Sequence, residues 1–142
     1  MSVYVSVDDS FELYADGVFK GAGDKWHKTY KFDIPINTEV IAILAEDNGW
    51  PFGILGSAKY FKTDSSWICA DFTSGIPSGW TSPGYDDPGW SYAQVYTEDL
   101  DSSRKKIDST AQWIWFANGY GLSKAGCRKH LADFMNTGDS NA

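Results

Sequence analysis

The chain has 142 residues, within the usual size of one domain, and a formal net charge of −7. This acidic balance argues against binding to nucleic acid or to an anionic membrane surface, because both attract Lys and Arg. It permits a cation or a neutral polar ligand. The longest apolar run, Val40 to Ala45, is far too short to cross a bilayer, so no membrane insertion is expected.

In the first half of the chain, alternating apolar and polar residues predict a series of short strands. Between the second and third of them, Asp16-Gly17 predicts a type I′ hairpin turn, because both residues tolerate positive φ. The predicted strands cover residues 3–7, 11–15, 18–20, 29–34, 40–45 and 52–61.

The second half begins with a strand that carries Trp67 and Cys69 on one face. A long loop, 72–90, follows, in which Gly, Pro, Ser and Thr alternate with aromatic residues. Because exposed rings are costly, we expect these rings to hold the loop against the sheets and to fix Asp86 and Asp87 in place. Further short strands are predicted over 91–95, 111–117 and 126–131, with a charged loop or one exposed helical turn over 97–108.

No segment has the length and periodicity of a substantial helix, and about eight short strands are separated by turns. The predicted fold class is therefore all-β: a β-sandwich, or jelly roll, formed by a single domain over residues 1–134. Residues 135–142 are predicted to be a flexible C-terminal tail.

If each strand reverses the previous one, the turns at 8–10, 23–26 and 46–51 and the start of the 72–90 loop lie at one end of the sandwich. Carboxylate oxygens from several loops are the ligands that Ca²⁺ prefers, and rings beside polar groups suit a sugar. The candidate metal ligands are Asp8, Asp9, Glu46, Asp86 and Asp87. The candidate sugar contacts are Asp24, Trp26, Asp47, Asn48, Trp50 and Tyr85. The alternative is that acidic turn residues only cap loops and remain solvated.

Three segments carry a resemblance to a known family: Asp8 to Gly17; Trp67-Ile-Cys69 with Gly79-Trp80 and Gly84-Tyr85-Asp86-Asp87; and Ala111-Gln-Trp113-Ile-Trp115 with Cys127-Arg128. In this order they resemble motifs of the galactose-binding-domain-like β-sandwich modules of lectins and glycosidases. The resemblance implies a sandwich with a Cys69–Cys127 disulfide and binding rather than catalysis. Two buried free thiols or an intermolecular bridge are the alternatives.

The leading hypothesis is a galactose-type lectin, assisted by Ca²⁺, whose partners are glycans. A single site should bind a monosaccharide weakly, so useful avidity would require a homo-oligomer. The alternatives are a structural protein–protein interaction module and an accessory carbohydrate-binding domain of a glycoside hydrolase. Catalysis is not expected, because neither His27 nor His130 lies in a metal or triad pattern. The localisation is expected to be secreted or extracellular, with a cytoplasmic protein as the alternative.

Overall fold

The computed structural model describes residues 1–49, 51–96 and 105–131. Within these ranges the chain forms eleven strands and no helix. The predicted tail and most of the predicted 97–108 loop lie outside them. The strands are β1 (Ser2–Asp8), β2 (Ser10–Ala15), β3 (Val18–Gly23), β4 (Tyr30–Asp33), β5 (Val40–Glu46), β6 (Gly53–Ser57), β7 (Ile68–Asp71), β8 (Ser91–Tyr92), β9 (Gln94–Tyr96), β10 (Trp113–Trp115) and β11 (Lys124–His130).

The strands form two antiparallel sheets, one of five strands in the order β4-β1-β6-β10-β9 and one of six in the order β3-β2-β5-β11-β7-β8. One hydrophobic core joins them. Val5 of β1 in the first sheet and Leu13 and Ile43 in the second are fully buried in that core. The all-β sandwich is thus confirmed, because the alternating apolar residues of both sheets face each other.

Two predicted strands are longer than those observed. The strand predicted over 52–61 ends at Ser57, where a tight turn brings the Phe61 carbonyl within 2.8 Å of the Ala58 amide. The strand predicted over 111–117 is reduced to Trp113–Trp115. Apolar residues beyond a strand can be buried by turns as well as by sheets, so their pattern overestimates strand length.

A disulfide joins the two sheet neighbours Cys69 of β7 and Cys127 of β11, whose Cα atoms lie 4.1 Å apart. The predicted pairing is confirmed. The bridge closes a loop with a sequence separation of 58, which corresponds to about 4 kcal/mol of stabilisation in the chain-entropy account of crosslinks.

The 72–90 loop covers the outer face of the six-stranded sheet. Phe72 and Trp80 are buried there with their ring centroids 4.9 Å apart, and Trp90 packs against both. Gly126 makes this possible, since a Cβ at that position would lie 2.0 Å from the Phe72 ring. The prediction that aromatic residues hold this loop against the sheet is confirmed.

The strand register defines two ends of the sandwich. At one end, which we call the acidic end, Glu46 is paired with both Ser10 and Lys124, and its carbonyl accepts a hydrogen bond from the Asp9 amide. The other end, the hairpin end, carries the Asp16-Gly17 turn, with φ of 50° and 82°, so the predicted type I′ hairpin conformation is observed. The Asp16 carboxylate accepts a hydrogen bond from the Val40 amide at 2.8 Å, where β5 begins.

None of the described residues belongs to a helix that is long and apolar enough to cross a membrane.

Candidate functional site

Three aspartates meet at the acidic end. Asp8 ends β1, Asp9 follows it, and Asp47 comes directly after β5. One oxygen of each carboxyl group lies within 4.8 Å of the other two. We call these three residues the carboxylate cluster.

The local fold explains why the cluster forms. Asp9 donates its amide hydrogen to the Glu46 carbonyl at 3.0 Å, and the Asn48 amide donates to Oδ2 of Asp9 at 2.8 Å. The two chain segments are therefore joined on both sides of Asp47. Gly121 packs against this turn, because a Cβ there would lie 2.9 Å from the carbonyl oxygen of Gly49.

Asp47 is the most constrained member of the cluster, since only 2% of the residue is exposed. Its Oδ2 accepts weak hydrogen bonds from the amides of Gly49 and Leu122, at 3.2 and 3.3 Å. Its Oδ1 is buried and has no hydrogen-bond partner among the described residues. A buried acceptor without a partner costs free energy comparable to a lost hydrogen bond.

Burial is the main reason that the pKa of Asp47 is raised to about 6. The amides of Gly49 and Leu122 act in the opposite direction, and the neighbouring Asp9 carboxylate raises the pKa further. A cation next to Oδ1 would remove both causes of the increase, because it favours the ionised form and compensates for the lost hydration.

The donor set fits a hard divalent cation. Three carboxylates supply negative charge and oxygen ligands, which is the chemistry of Ca²⁺ sites. Ca²⁺ takes six to eight oxygens, so backbone carbonyls or water would complete the shell. Asp8, Asp9 and Asp47 are the residues that would hold the ion.

A groove of about 700 Å³ opens beside the cluster, between β2, β3, β5, β11 and the 72–90 loop. It has charged groups around an apolar floor, which is the composition of a site for a small polar ligand. Its main lining residues are Ser10, Glu12, Asp24, Leu44, Glu46, Ile76 and Lys124.

The predicted site residues are thus partly brought together. Asp8 and Asp9, predicted as metal ligands, are joined by Asp47, which was predicted as a sugar contact. Glu46 and Asp24 line the groove, and Asn48 is exposed next to the cluster. Trp50 lies outside the described residues.

The structure does not bring Asp86 and Asp87 into the cluster. Oδ2 of Asp87 accepts a hydrogen bond from Arg128 Nη1 at 2.6 Å and lies 2.9 Å from Nε2 of His130. His130 pairs with Val40, whereas the cluster lies beyond Glu46, six residues further along β5. At the strand rise of about 3.3 Å per residue this separation is about 20 Å.

Tyr85 also lies away from the cluster. Tyr85 is half-buried on the outer face of the six-stranded sheet, with the guanidinium of Arg128 5.2 Å from its ring centroid. The Trp26 carbonyl accepts a hydrogen bond at 3.2 Å from Oγ of Ser6, which lies in β1 two residues before Asp8. The alternation of strand direction placed the start of the 72–90 loop at the acidic end, but it did not predict that the later residues of this loop lie over the outer face of the six-stranded sheet.

Arg128 is the residue whose role the sequence did not reveal. Its side chain is 0% exposed beneath the 72–90 loop, and Nη2 donates to the Ser82 carbonyl at 2.8 Å. The sequence did contain one signal for this role: a charged residue within a predicted strand, on the face opposite Cys127. Such a residue needs an acidic partner if that face is covered.

Comparisons with known protein families, with curated proteins and with solved structures found no match.

Proposed function

We propose that this chain is a non-catalytic carbohydrate-binding module of the galactose-binding-domain-like, jelly-roll type, which binds galactose-type sugars at its acidic end with the help of Ca²⁺. The observation that carries the proposal is the buried Oδ1 of Asp47, which has no hydrogen-bond partner among the described residues and belongs to a group of three carboxylates beside a polar groove.

The ion would have a structural and an orienting role. Asp9 and Asp47 follow β1 and β5, which lie in different sheets, so an ion held between them would fix the turns that border the groove. Neutralising the buried charge of Asp47 would also remove the cost of burying Oδ1, for which the described residues offer no hydrogen-bond partner.

The groove supplies the contacts that a neutral sugar needs. Glu12, Asp24 and Glu46 offer acceptors for hydroxyl groups, and Lys124 offers a donor. Leu44 and Ile76 provide apolar surface for the C–H face of a pyranose ring.

A galactose-type monosaccharide would bind weakly, because it offers few atoms and its hydroxyl groups must leave water. A homo-oligomer would raise the avidity for glycans that carry several such sugars. The disulfide supports an oxidising compartment, and we propose a secreted or extracellular protein.

The direct test combines thermal melts in Ca²⁺ and in EDTA with calorimetric titration of galactosides. We expect Ca²⁺ to raise the melting temperature of the wild type and galactoside binding to weaken in EDTA. Asp9→Asn should lose the response to Ca²⁺. Glu39→Gln, an exposed acidic residue near the hairpin end, is the matched control and should keep it.

Two results would contradict the proposal. A melting temperature that does not change with Ca²⁺ would exclude the ion site, and the absence of binding across a panel of galactosides would exclude the sugar site. The alternative of a structural protein–protein interaction module predicts neither an effect of Ca²⁺ nor binding of galactosides. Binding of polysaccharides alone would favour an accessory domain of a glycoside hydrolase.

A further inference from the structure

A second cleft lies at the six-stranded sheet, near the hairpin end. It has a volume of about 440 Å³ and is bordered by two aromatic residues, Trp90 and Tyr92, and by the charged residues Asp87, Arg128, Lys129 and His130. We call it the aromatic cleft. It shares no residue with the carboxylate cluster or with the groove at the acidic end.

The aromatic side of the cleft is both exposed and well supported. Tyr92 is 72% exposed although it belongs to a strand, β8, that pairs with Ile68 of β7. Trp90 is half-buried and packs against Phe72 with ring centroids 5.5 Å apart, which limits its motion. A fixed ring beside an exposed one provides a surface on which a planar or ring-shaped ligand can stack.

The polar side of the cleft is formed by charged side chains that are held in place by hydrogen bonds. The guanidinium of Arg128 is fully buried and binds the Asp87 carboxylate, so these two charges compensate each other. Lys129 is then the remaining full charge, and its Nζ is held 2.7 Å from Ser66 Oγ. His130 contacts the same carboxylate through Nε2 and is partly exposed.

The positive character extends beyond the cleft. Lys129 and His130 also line a neighbouring cavity of about 470 Å³, to which Lys59 and Lys62 contribute. The two carboxylates of that cavity, Asp64 and Asp108, each accept hydrogen bonds from nearby hydroxyl and amide groups. In a chain with a net charge of −7, a surface with three lysines against two such carboxylates favours an anionic ligand.

We propose that the aromatic cleft is a second binding site, which takes an acidic saccharide: a pyranose ring that carries a carboxylate or a sulfate ester. The ring stacks on Tyr92, and the anionic group is bound by Lys129 with His130 as an additional donor. A neutral sugar would use only the rings, and an inorganic anion would use only the lysine. The combination of both features defines the ligand class.

The experiment uses the full chain, labelled for NMR titration, with EDTA present throughout so that the carboxylate cluster is metal-free. The probes are methyl β-D-glucuronide and a sulfated galactose, each compared with its neutral parent sugar. We expect the acidic probes to bind with a Kd in about the millimolar range, to shift the resonances of Tyr92 and Lys129, and to bind at least about fivefold more tightly than the neutral parents.

Two variants separate the two contributions. Tyr92→Ala should weaken binding of the acidic probes about tenfold, through the loss of stacking. Lys129→Gln should make the affinities for the acidic probe and its neutral parent nearly equal and should reduce the dependence of affinity on ionic strength. Phe19→Ala, an exposed aromatic residue on β3, is the control for exposed rings and should leave binding unchanged.

The proposal is overturned if neither acidic probe binds, if acidic and neutral sugars bind equally, or if Tyr92→Ala has no effect. Its failure is distinguishable from failure at the acidic end, since that site requires Ca²⁺ and a neutral galactoside. The protein can have either site, both or neither, and the two assays test the two proposals separately.

Discussion

Replacing Asp47 by Asn should stabilise the metal-free protein at neutral pH. The carboxyl group has its pKa raised from 3.8 to about 6, mainly by burial. This difference, at about 1.4 kcal/mol per pKa unit, corresponds to about 3 kcal/mol. Because the folded state holds the proton more tightly than the unfolded state, this stability is fully present below pH 3.8 and is lost as the pH rises through about 6. Asn carries no charge, so the variant avoids the loss.

The assay is urea unfolding in EDTA across this pH range, with wild type and Asp47→Asn compared at each pH. The two free energies of unfolding should agree below pH 3.8 and diverge above about pH 6, with the variant more stable by up to about 3 kcal/mol. In thermal melts, the same difference should raise the melting temperature by roughly 9 °C for a chain of this size. Asp33→Asn, at an exposed position, is the control and should change the stability by less than about 0.5 kcal/mol.

Added Ca²⁺ should reverse the order. At a thousandfold excess of free ion over its dissociation constant, the wild type gains about 4.1 kcal/mol by mass action, which exceeds the advantage of the variant in EDTA, whereas the variant lacks one charged ligand. If Asp47→Asn were less stable than the wild type in EDTA at neutral pH, the charged carboxylate would have to be stabilised by its contacts. The reasoning from the burial of Asp47 would then be wrong.

Three further substitutions test the fold around the site, each by urea unfolding. Arg128→Met should lower the free energy of unfolding by up to about 3–5 kcal/mol, because it leaves the partly buried Asp87 carboxylate without its guanidinium partner; a loss below about 1 kcal/mol would contradict this role. Replacing both Cys69 and Cys127 by Ala should cost about 4 kcal/mol, and an unchanged midpoint would show that the bridge contributes nothing. Gly126→Ala should cost at least about 1–3 kcal/mol, since the new methyl group overlaps the Phe72 ring; wild-type stability would mean that the ring can move away.

Much of the fold could be predicted because it depends on short-range patterns. Val3, Val5 and Val7 alternate along β1, and Asp16-Gly17 has the backbone freedom that a type I′ turn requires. The strand lengths were predicted less well, since Ala58, Tyr60 and Phe61 extend the apolar pattern beyond Ser57 but belong to a turn. Local periodicity shows which residues are buried, but it does not show which of them pair with another strand.

The candidate site was predicted in part. Asp8 and Asp9, which were predicted as metal ligands, do lie in the carboxylate cluster; Asp47, predicted as a sugar contact, joins them there, and Asp87, predicted as a metal ligand, does not. The roles of these last two depend on burial and on a partner far away in sequence. Asp87 meets Arg128 across a separation of 41 residues, and no local pattern contains that information.

The amino-acid sequence by itself determined the all-β class, the approximate strands, the hairpin turn and the supply of acidic and aromatic residues at the turns. These follow from side-chain alternation and backbone preferences, which act over a few residues. Only the tertiary structure decided which carboxylates share a site, that Arg128 is buried under the 72–90 loop, and that Tyr92 and Lys129 border a common cleft. The physical reason is that charge compensation and burial depend on neighbours contributed by distant strands, and those neighbours exist only once the two sheets have packed.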